Sequence, residues 1–203
     1  MQADPQTQPA IAEEERQRAD IYVLLARLLI RPPDEKALDS IRKLTGGKGE
    51  LGEAINALAS VARAKTAGAV DDEYHDLFIG LDLGELVPYA SHYLKGALYD
   101  EPLIKLREDM ARRGIGWNEE VKEPEDHIAA VCEMMAGLIL GEVGEGAASI
   151  EDQRSFFEAH LLPWAGDFFT DLEQAKGATF YMPLGRIGSA FIKIEAQAFQ
   201  LAH

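Results

Sequence analysis

Five histidines are the side chains in this sequence most able to bind a metal ion or to transfer a proton. Metal sites in helical bundles often place a glutamate three residues before a histidine, or two histidines four residues apart, so that both ligands share one helix face. Neither spacing occurs, and the nearest approach is Asp72 with His75. The sequence therefore disfavours a di-iron or other metal-binding bundle, and we predict no metal ligand.

Phosphate-binding and nucleophile motifs are also missing. Gly47 and Lys48 are followed by Gly49 instead of a hydroxyl residue, and no strand is predicted before them. Arg42 occupies the position of the first glycine of a P-loop. Cys132 lies on an apolar helix face with no activating group nearby in sequence, which favours a small core residue over a nucleophile. We predict no cofactor and no catalytic residue, while a site assembled from distant residues stays open.

The composition describes an acidic chain that is long enough to bury a core. Its 203 residues include 20 Lys and Arg against 35 Asp and Glu, which gives a formal net charge of −15. Because a phosphate backbone is neutralised by clustered Lys and Arg, a nucleic-acid partner is disfavoured, and a charged partner should be basic. Solubility alone is an alternative explanation of the acidic charge.

The sequence also bears on the compartment. One cysteine cannot form an internal disulfide, which suits a reducing environment. Residues 1–10 are polar and lack the basic start and apolar core of a signal peptide. The longest apolar stretch, residues 21–30, is too short to cross a bilayer and contains Arg27. We expect a cytoplasmic protein that does not insert into membranes.

Helical periodicity dominates, and almost no segment alternates apolar and polar residues as a strand would. We predict an all-α fold, a bundle of about 9–11 helices in two lobes that share a core and are joined by an irregular hinge. The predicted helices cover residues 11–30, 34–44, 50–66, 71–78, 100–113, 124 to the 141–146 region, 150–161, 163–175 and 179–200.

The predicted organisation is one structural domain. It comprises a flexible tail (1–10), an N-terminal lobe (11–114), a hinge (115–123) and a C-terminal lobe (124–203). Pro124 follows Glu123 and precedes two acidic residues, which is typical of the first residue of a helix. Residues 80–91 are apolar but punctuated by glycine and proline, which predicts a loop that binds a ligand or one that packs on the core.

Three segments form an ordered set of short signatures. The first signature comprises Glu73–Gly80 (EYHDLFIG) and Val87–Tyr93 (VPYASHY), the second is Glu123–Ile128 (EPEDHI), and the third comprises Phe156–Trp164 (FFEAHLLPW) and Phe180–Leu184 (FYMPL). They resemble the signatures of the TorD/DmsD/NarJ family of redox-enzyme maturation chaperones, and they occur in the family's order and spacing over about residues 73–195. Each signature is modest by itself, whereas the ordered set is fairly specific.

The resemblance implies an all-helical cytoplasmic chaperone that is not an enzyme. Such proteins bind the twin-arginine signal peptide, and parts of the mature chain, of a molybdenum-cofactor oxidoreductase. They hold this precursor until its cofactor has been inserted, before export. Cofactor-insertion proteins are further candidate partners, and the chain is expected to be a monomer or a dimer that exchanges lobes across the hinge.

Two alternatives remain open at this point. The first is an assembly factor of the nitrate reductase delta type, which acts on a catalytic subunit that is not exported. The second, less supported, is a helical enzyme that depends on a nucleotide or a metal.

A receptor for a twin-arginine peptide needs carboxylates beside an apolar groove, because the peptide offers two guanidinium groups followed by an apolar segment. We place this groove between residues 80–93 and the start of the predicted helix at Pro124. The predicted site residues are Leu77, Phe78, Pro88, Tyr89 and Tyr93 for apolar contacts, Glu123 and Asp126 for the arginines, and His127 and Ser91 for hydrogen bonds.

These residues also have structural interpretations. Residues 77–78 could anchor a helix end in the core, and Asp126 could serve the dipole of the following helix and nothing more. His127 could be a structural histidine with its hydrogen bonds satisfied. His160 and Trp164 of the third signature are interpreted as packing residues near a helix junction.

Overall fold

A computed structural model of the chain describes residues 11–80, 84–116, 123–144 and 146–201. These ranges contain ten α-helices, one π-helical turn and no strand, so the predicted all-α fold is confirmed. The helices are α1 (Glu13–Ile30), α2 (Glu35–Ile41), α3 (Glu50–Ala64), α4 (Ala67–Tyr74), α5 (Ala90–Lys95), α6 (Glu101–Arg112), α7 (Ile128–Leu140), α8 (Ile150–His160), α9 (Ala165–Gln174) and α10 (Tyr181–Leu201). The π-helical turn (His75–Ile79) follows α4 directly. None of the described helices is long and apolar enough to cross a membrane.

Polar side chains in the loops determine where several helices begin. The carboxylate of Asp34 accepts a hydrogen bond from the backbone N–H of Ala37 at 2.7 Å, at the start of α2. The hydroxyl of Ser149 accepts one from the backbone N–H of Asp152 at 3.1 Å, at the start of α8. Such caps satisfy N–H groups that have no partner within the helix.

The predicted helix start at Pro124 is wrong. Helix α7 begins at Ile128, and His127 is its N-cap. Segments 88–90 and 126–128 form a short antiparallel pairing with two backbone hydrogen bonds of 2.9 Å. This pairing keeps the second signature in an extended and turn conformation, and it outweighs the local preference for a helix.

The first signature also differs from its predicted shape. The predicted helix over residues 71–78 is the end of α4 followed by the π-helical turn, which stops at Gly80 with φ of 48°. Residues 90–95 form the short helix α5, which is absent from the predicted set. A helix of six residues is too short to produce a readable period in the sequence.

The core lies between α1, α3, α7, α9 and α10. Helix α1 packs along α7, and α10 packs against both α9 and α3. Tyr22, Cys132 and Leu184 are fully buried there. Burial raises the pKa of the Cys132 thiol well above its usual range. The cysteine is therefore a core residue, as its position on the apolar helix face predicts.

The contacts of α1 with α7 and of α3 with α10 cross the predicted boundary between lobes. Within the predicted hinge, residues 117–122 lie outside the described residues, as do the predicted tail over residues 1–10 and residues 202–203. The division into two lobes stays a prediction.

A partly buried ion pair joins the first and last helices. Two nitrogens of the Arg18 guanidinium donate to the carboxylate of Glu195 at 2.8 and 2.7 Å, and the Tyr22 hydroxyl donates to it at 3.0 Å. Glu195 is only 1% exposed. Because a buried carboxylate is costly unless it is paired and hydrogen-bonded, these contacts fix α1 against α10.

The N-terminus of α10 is capped by a side chain from α4. The Oε1 atom of Glu73 accepts hydrogen bonds from the three successive backbone N–H groups of residues 179–181, at 2.6, 2.7 and 2.9 Å. A carboxylate at this position also complements the positive end of the helix dipole. Glu73 therefore connects the first signature to the C-terminal part of the third.

Candidate functional site

The first two signatures meet through Tyr89 and His127. Their backbones form the antiparallel pairing, and their rings pack edge to face with centroids 5.0 Å apart. The Tyr89 hydroxyl donates a hydrogen bond to the carboxylate of Glu123. Burial, and then this hydrogen bond, raise the pKa of Tyr89 well above its usual range, so the phenol stays protonated at neutral pH.

Asp126 lies at the centre of this contact and is 1% exposed. Its Oδ2 atom accepts a hydrogen bond from the backbone N–H of Ser91 at 2.8 Å. Its Oδ1 atom is buried and has no hydrogen-bond partner in the described part of the chain. The Ser91 hydroxyl in turn accepts a hydrogen bond from the backbone N–H of Asp100 at 3.3 Å, ahead of α6. One carboxylate oxygen is therefore engaged in structure, and the other is left without a donor.

His127 serves as the N-cap of α7. Its Nδ1 atom accepts a hydrogen bond from the backbone N–H of Ala129 at 3.1 Å, which places the ring proton on Nε2. Burial lowers the pKa of His127 to about 4, so the ring is neutral at pH 7. The structural interpretation of this histidine therefore accounts for one of its two ring nitrogens.

The structure brings five of the nine predicted site residues into one contact set, which we call the signature cluster. Its members are Tyr89, Ser91, Glu123, Asp126 and His127. Pro88 is buried beside the cluster and contributes its carbonyl oxygen to the backbone pairing.

The other three predicted site residues lie in different surroundings. Leu77 is fully buried in the core. Phe78 is half-buried, with its ring packed on Tyr74 and Tyr181 at centroid distances of 5.0 and 5.5 Å. Tyr93 is half-buried, and it points toward the junction of α8 and α9.

At that junction the ring of Tyr93 packs against the third signature. Its centroid lies 5.7 Å from that of Trp164, and its hydroxyl donates a hydrogen bond to Asp171 at 2.9 Å. The Trp164 ring nitrogen donates to the carbonyl of His160 at 2.7 Å. Helix α5 is thereby held against the turn between α8 and α9.

An open groove of about 540 Å³ lies between these elements, and we call it the α5–α6 groove. Within the two predicted groove walls, segments 88–90 and 126–128 pair directly with each other, and the open volume lies beside them. Residues 81–83 of the first predicted wall lie outside the described residues. The groove is lined by Ala90, Leu94, Lys95, Glu101, Pro102, Lys105, Leu106, Glu108, Asp109, Arg112, Asp126, Val131, Ser155, Ala159, His160, Pro163 and Trp164. Residues of all three signatures thus line one groove, and Asp126 is the predicted site residue among them.

Most charges in the α5–α6 groove are paired with each other. Glu101 accepts from Lys105 at 2.6 Å and from Lys95 at 2.7 Å. These two contacts lower the pKa of Glu101 to about 2, the Lys105 hydrogen bond contributing most. The Glu101 carboxylate is therefore charged at neutral pH and already neutralised by lysines of the same wall.

Asp109 forms a second paired group on the groove wall. Its carboxylate lies 2.9 Å from Arg112, 3.0 Å from Arg113 and 3.0 Å from the Nε2 atom of His160. Burial alone would raise the pKa of Asp109, but the hydrogen bonds from Arg113 and His160 outweigh it and lower that pKa. Burial lowers the pKa of His160 despite the attraction of Asp109. At neutral pH a neutral His160 donates its Nε2 proton to a charged Asp109.

Sequence reasoning missed the contribution of α6. The groove-lining residues Glu101, Lys105, Glu108 and Arg112 recur at steps of four, three and four, which places them on one helix face. That spacing is visible in the sequence, but charged residues on one helix face usually indicate solvated surface. His160 and Trp164, interpreted as packing residues, line the groove as well as pack.

The sequence matches a described protein family. The family described as nitrate reductase delta subunit matches residues 46–170. This range contains the whole first and second signatures and the 156–164 part of the third.

Curated relatives cover nearly the whole chain. The chaperone protein TorD of Vibrio atlanticus (strain LGP32) is 30% identical, over 89% of this chain and 94% of the relative. The chaperone protein TorD of Shewanella pealeana (strain ATCC 700345 / ANG-SQ1) is 26% identical, over 89% of this chain and 88% of the relative.

A solved structure has the same fold. It is that of a candidate redox enzyme maturation protein from Archaeoglobus fulgidus, which is 20% identical with a TM-score of 0.57 and covers 95% of this chain and 99% of that one. The family match spans more than half of the chain, and the resemblance seen in the three signatures is confirmed. The chain belongs to the nitrate reductase delta subunit family, the TorD/DmsD/NarJ family of redox-enzyme maturation chaperones.

Proposed function

We propose that this chain is a cytoplasmic, system-specific chaperone that binds the twin-arginine signal peptide, the apo form, or both, of a molybdenum-cofactor oxidoreductase. It holds this client until the cofactor has been inserted, before export. Its role is binding, without catalysis. The observation that carries the proposal is that residues of all three signatures line the α5–α6 groove.

The chemistry of the groove suits such a peptide. Leu94, Pro102 and Pro163 provide apolar surface for the segment that follows the two arginines. A guanidinium bound at Asp126 would supply the donor that its buried Oδ1 atom lacks, and charge-assisted hydrogen bonds to carboxylates are among the stronger ones in proteins. A basic and apolar ligand is therefore favoured over an anionic one.

The predicted site residues take two kinds of role in this proposal. Phe78, Tyr89, Tyr93 and Glu123 are exposed or half-buried, so they can contact a peptide directly. The buried residues Leu77, Pro88, Ser91 and His127 shape the backbone that carries them.

Calorimetric titration with a synthetic twin-arginine leader tests the proposal. The leader should come from the oxidoreductase encoded beside the gene for this chain. We expect saturable binding that weakens when both arginines are replaced by neutral citrulline. If neither this leader nor the mature apoenzyme binds, the chaperone proposal is wrong.

A second candidate function differs in its client. The family that matches this chain is described as nitrate reductase delta subunit, and the second candidate is an assembly factor of that type for a catalytic subunit that is not exported. Affinity purification from cells that express the subunit with and without a leader distinguishes the two. Capture of the leaderless subunit alone would support this candidate, and co-purified cofactor-insertion proteins would identify further partners.

The oligomeric state is a separate part of the proposal. The chain is a monomer or a dimer that exchanges lobes across residues 115–123. Light scattering coupled to size-exclusion chromatography distinguishes these states. A shortened hinge should favour exchange, because a short linker hinders the two lobes of one chain from packing together.

A further inference from the structure

The α5–α6 groove contains one carboxylate that its neighbours leave without a partner. Four carboxylates line the groove, those of Glu101, Glu108, Asp109 and Asp126. Glu101 is paired with two lysines, and Asp109 with two arginines and a histidine. Glu108 forms no ion pair or side-chain hydrogen bond with any residue in the described ranges.

The helix geometry explains why Glu108 is left over. On α6, the cations that could reach it are Lys105, three residues before, and Arg112, four residues after. The Lys105 ammonium lies 2.6 Å from Glu101, and the Arg112 guanidinium lies 2.9 Å from Asp109. Both potential partners are therefore engaged by other carboxylates.

A second observation indicates that the groove is prepared for a cation. The Oδ1 atom of Asp126 is buried and lacks a donor, although the residue lines the groove and is 1% exposed. A buried carboxylate oxygen without a donor is unfavourable. Asp126 at depth and Glu108 on the exposed wall thus both line one groove, and both carboxylates have an oxygen without a donor in the described part of the chain.

We propose that Glu108 is a specificity-determining residue that binds one guanidinium group of the client's arginine pair. This inference rests on the proposed function, since it assigns a contact to the same peptide. Lys95, Lys105 and Arg112 line the same groove, so they repel a peptide whose positive charges lie beside them instead of beside Glu108. Glu108 therefore contributes to selectivity between leaders as well as to affinity.

The test compares Glu108→Gln with a matched control, Glu133→Gln, by calorimetric titration. Glu133 is exposed on α7 and does not line this groove. Both substitutions remove one negative charge from an exposed helix position and keep the side-chain shape, so both variants should fold. For the twin-arginine leader we expect about fivefold weaker binding to Glu108→Gln and unchanged binding to Glu133→Gln.

Leaders in which either arginine is replaced by citrulline complete a double-mutant cycle. With one of the two substituted leaders, Glu108→Gln should bind as well as the wild-type protein, because the contact is already lost. Equal affinity of Glu108→Gln and wild type for the unmodified leader would overturn the inference. An equal loss of leader affinity in Glu133→Gln would also overturn it, because the effect would then come from the net charge of the protein and not from a contact of Glu108. If the wild-type protein itself binds no leader, the inference fails together with the leader-binding part of the proposed function, and titration with the mature apoenzyme then decides the rest of that proposal.

Discussion

The carboxylate of Asp126 accepts a hydrogen bond from the backbone N–H of Ser91 at 2.8 Å, and this bond connects the second signature to the first. Asp126 precedes α7 and is not part of its first turn. Its position in the signature cluster is therefore explained by a contact between segments that are distant in the sequence, and its other carboxylate oxygen is buried without a donor.

This arrangement predicts different results for two substitutions of Asp126. Asp126→Asn keeps an oxygen that can accept from Ser91 N–H and removes the charge. We expect a change of about 1 kcal/mol or less in the free energy of unfolding, with weaker binding of a basic leader. Asp126→Ala leaves a buried N–H without a partner and should destabilise the fold by about 1–3 kcal/mol. Urea denaturation and calorimetric titration measure the two effects, and equal stability of both variants would contradict the prediction.

The cap that Glu73 places on α10 predicts a large stability effect from one side chain. Glu73→Ala removes the acceptor of three backbone N–H groups over residues 179–181, of which residues 180 and 181 are fully buried. We expect a loss of about 2–4 kcal/mol in the free energy of unfolding. Urea denaturation followed by circular dichroism measures it.

Glu85→Ala is the matched control. The Glu85 carboxylate accepts from the backbone N–H groups of Lys176 and Gly177, at an exposed site before the same helix. Water can replace this acceptor, so the loss should be below about 1 kcal/mol. Equal losses for Glu73→Ala and Glu85→Ala would show that burial of the cap is not the reason for its effect.

The three ordered signatures predicted which segments of the chain form the site, and the structure shows that these segments contact each other. Which residues pair with which could not be predicted from the sequence. Residues 123–126 have the local composition of a helix start, but the pairing of residues 126–128 with 88–90 decides their conformation. Similarly, Glu108 on α6 resembles any solvated glutamate until the partners of its neighbours are known. Local preferences are readable in a sequence, whereas competition among distant partners is not.

The close packing of α9 on α10 predicts a strong effect at Gly185. A Cβ atom built on Gly185 would lie 2.5 Å from the backbone nitrogen of Glu173 and 2.8 Å from the carbonyl oxygen of Phe169. Because both are backbone atoms, the two helices would have to separate. We expect Gly185→Ala to lower the free energy of unfolding by about 2–3 kcal/mol.

Gly166→Ala in α9 is the control, and we expect it to change the free energy of unfolding in the opposite direction. A Cβ atom there meets no atom within 4 Å. Alanine should therefore stabilise the helix by about 0.5–1 kcal/mol, because it has the higher helix propensity. Thermal unfolding of both variants checks the pair, and a stable Gly185→Ala protein would mean that α9 and α10 tolerate a wider separation.

The pKa of His127 predicts how stability depends on pH. Burial lowers this pKa from 6.5 to about 4 in the folded protein, so the unfolded chain takes up the proton first as the pH falls. The stabilising contribution of the neutral ring is thus complete above pH 6.5 and is lost progressively between pH 6.5 and 4, by about 3 kcal/mol in total. Burial also lowers the pKa of His160, so this residue changes the stability in the same direction.

His127→Asn keeps a side chain that can cap α7 but does not titrate, so it should reduce the slope of unfolding free energy against pH over this range. Urea denaturation at a series of pH values measures that slope, and an unchanged slope would show that His127 is protonated in the folded protein as readily as in the unfolded chain.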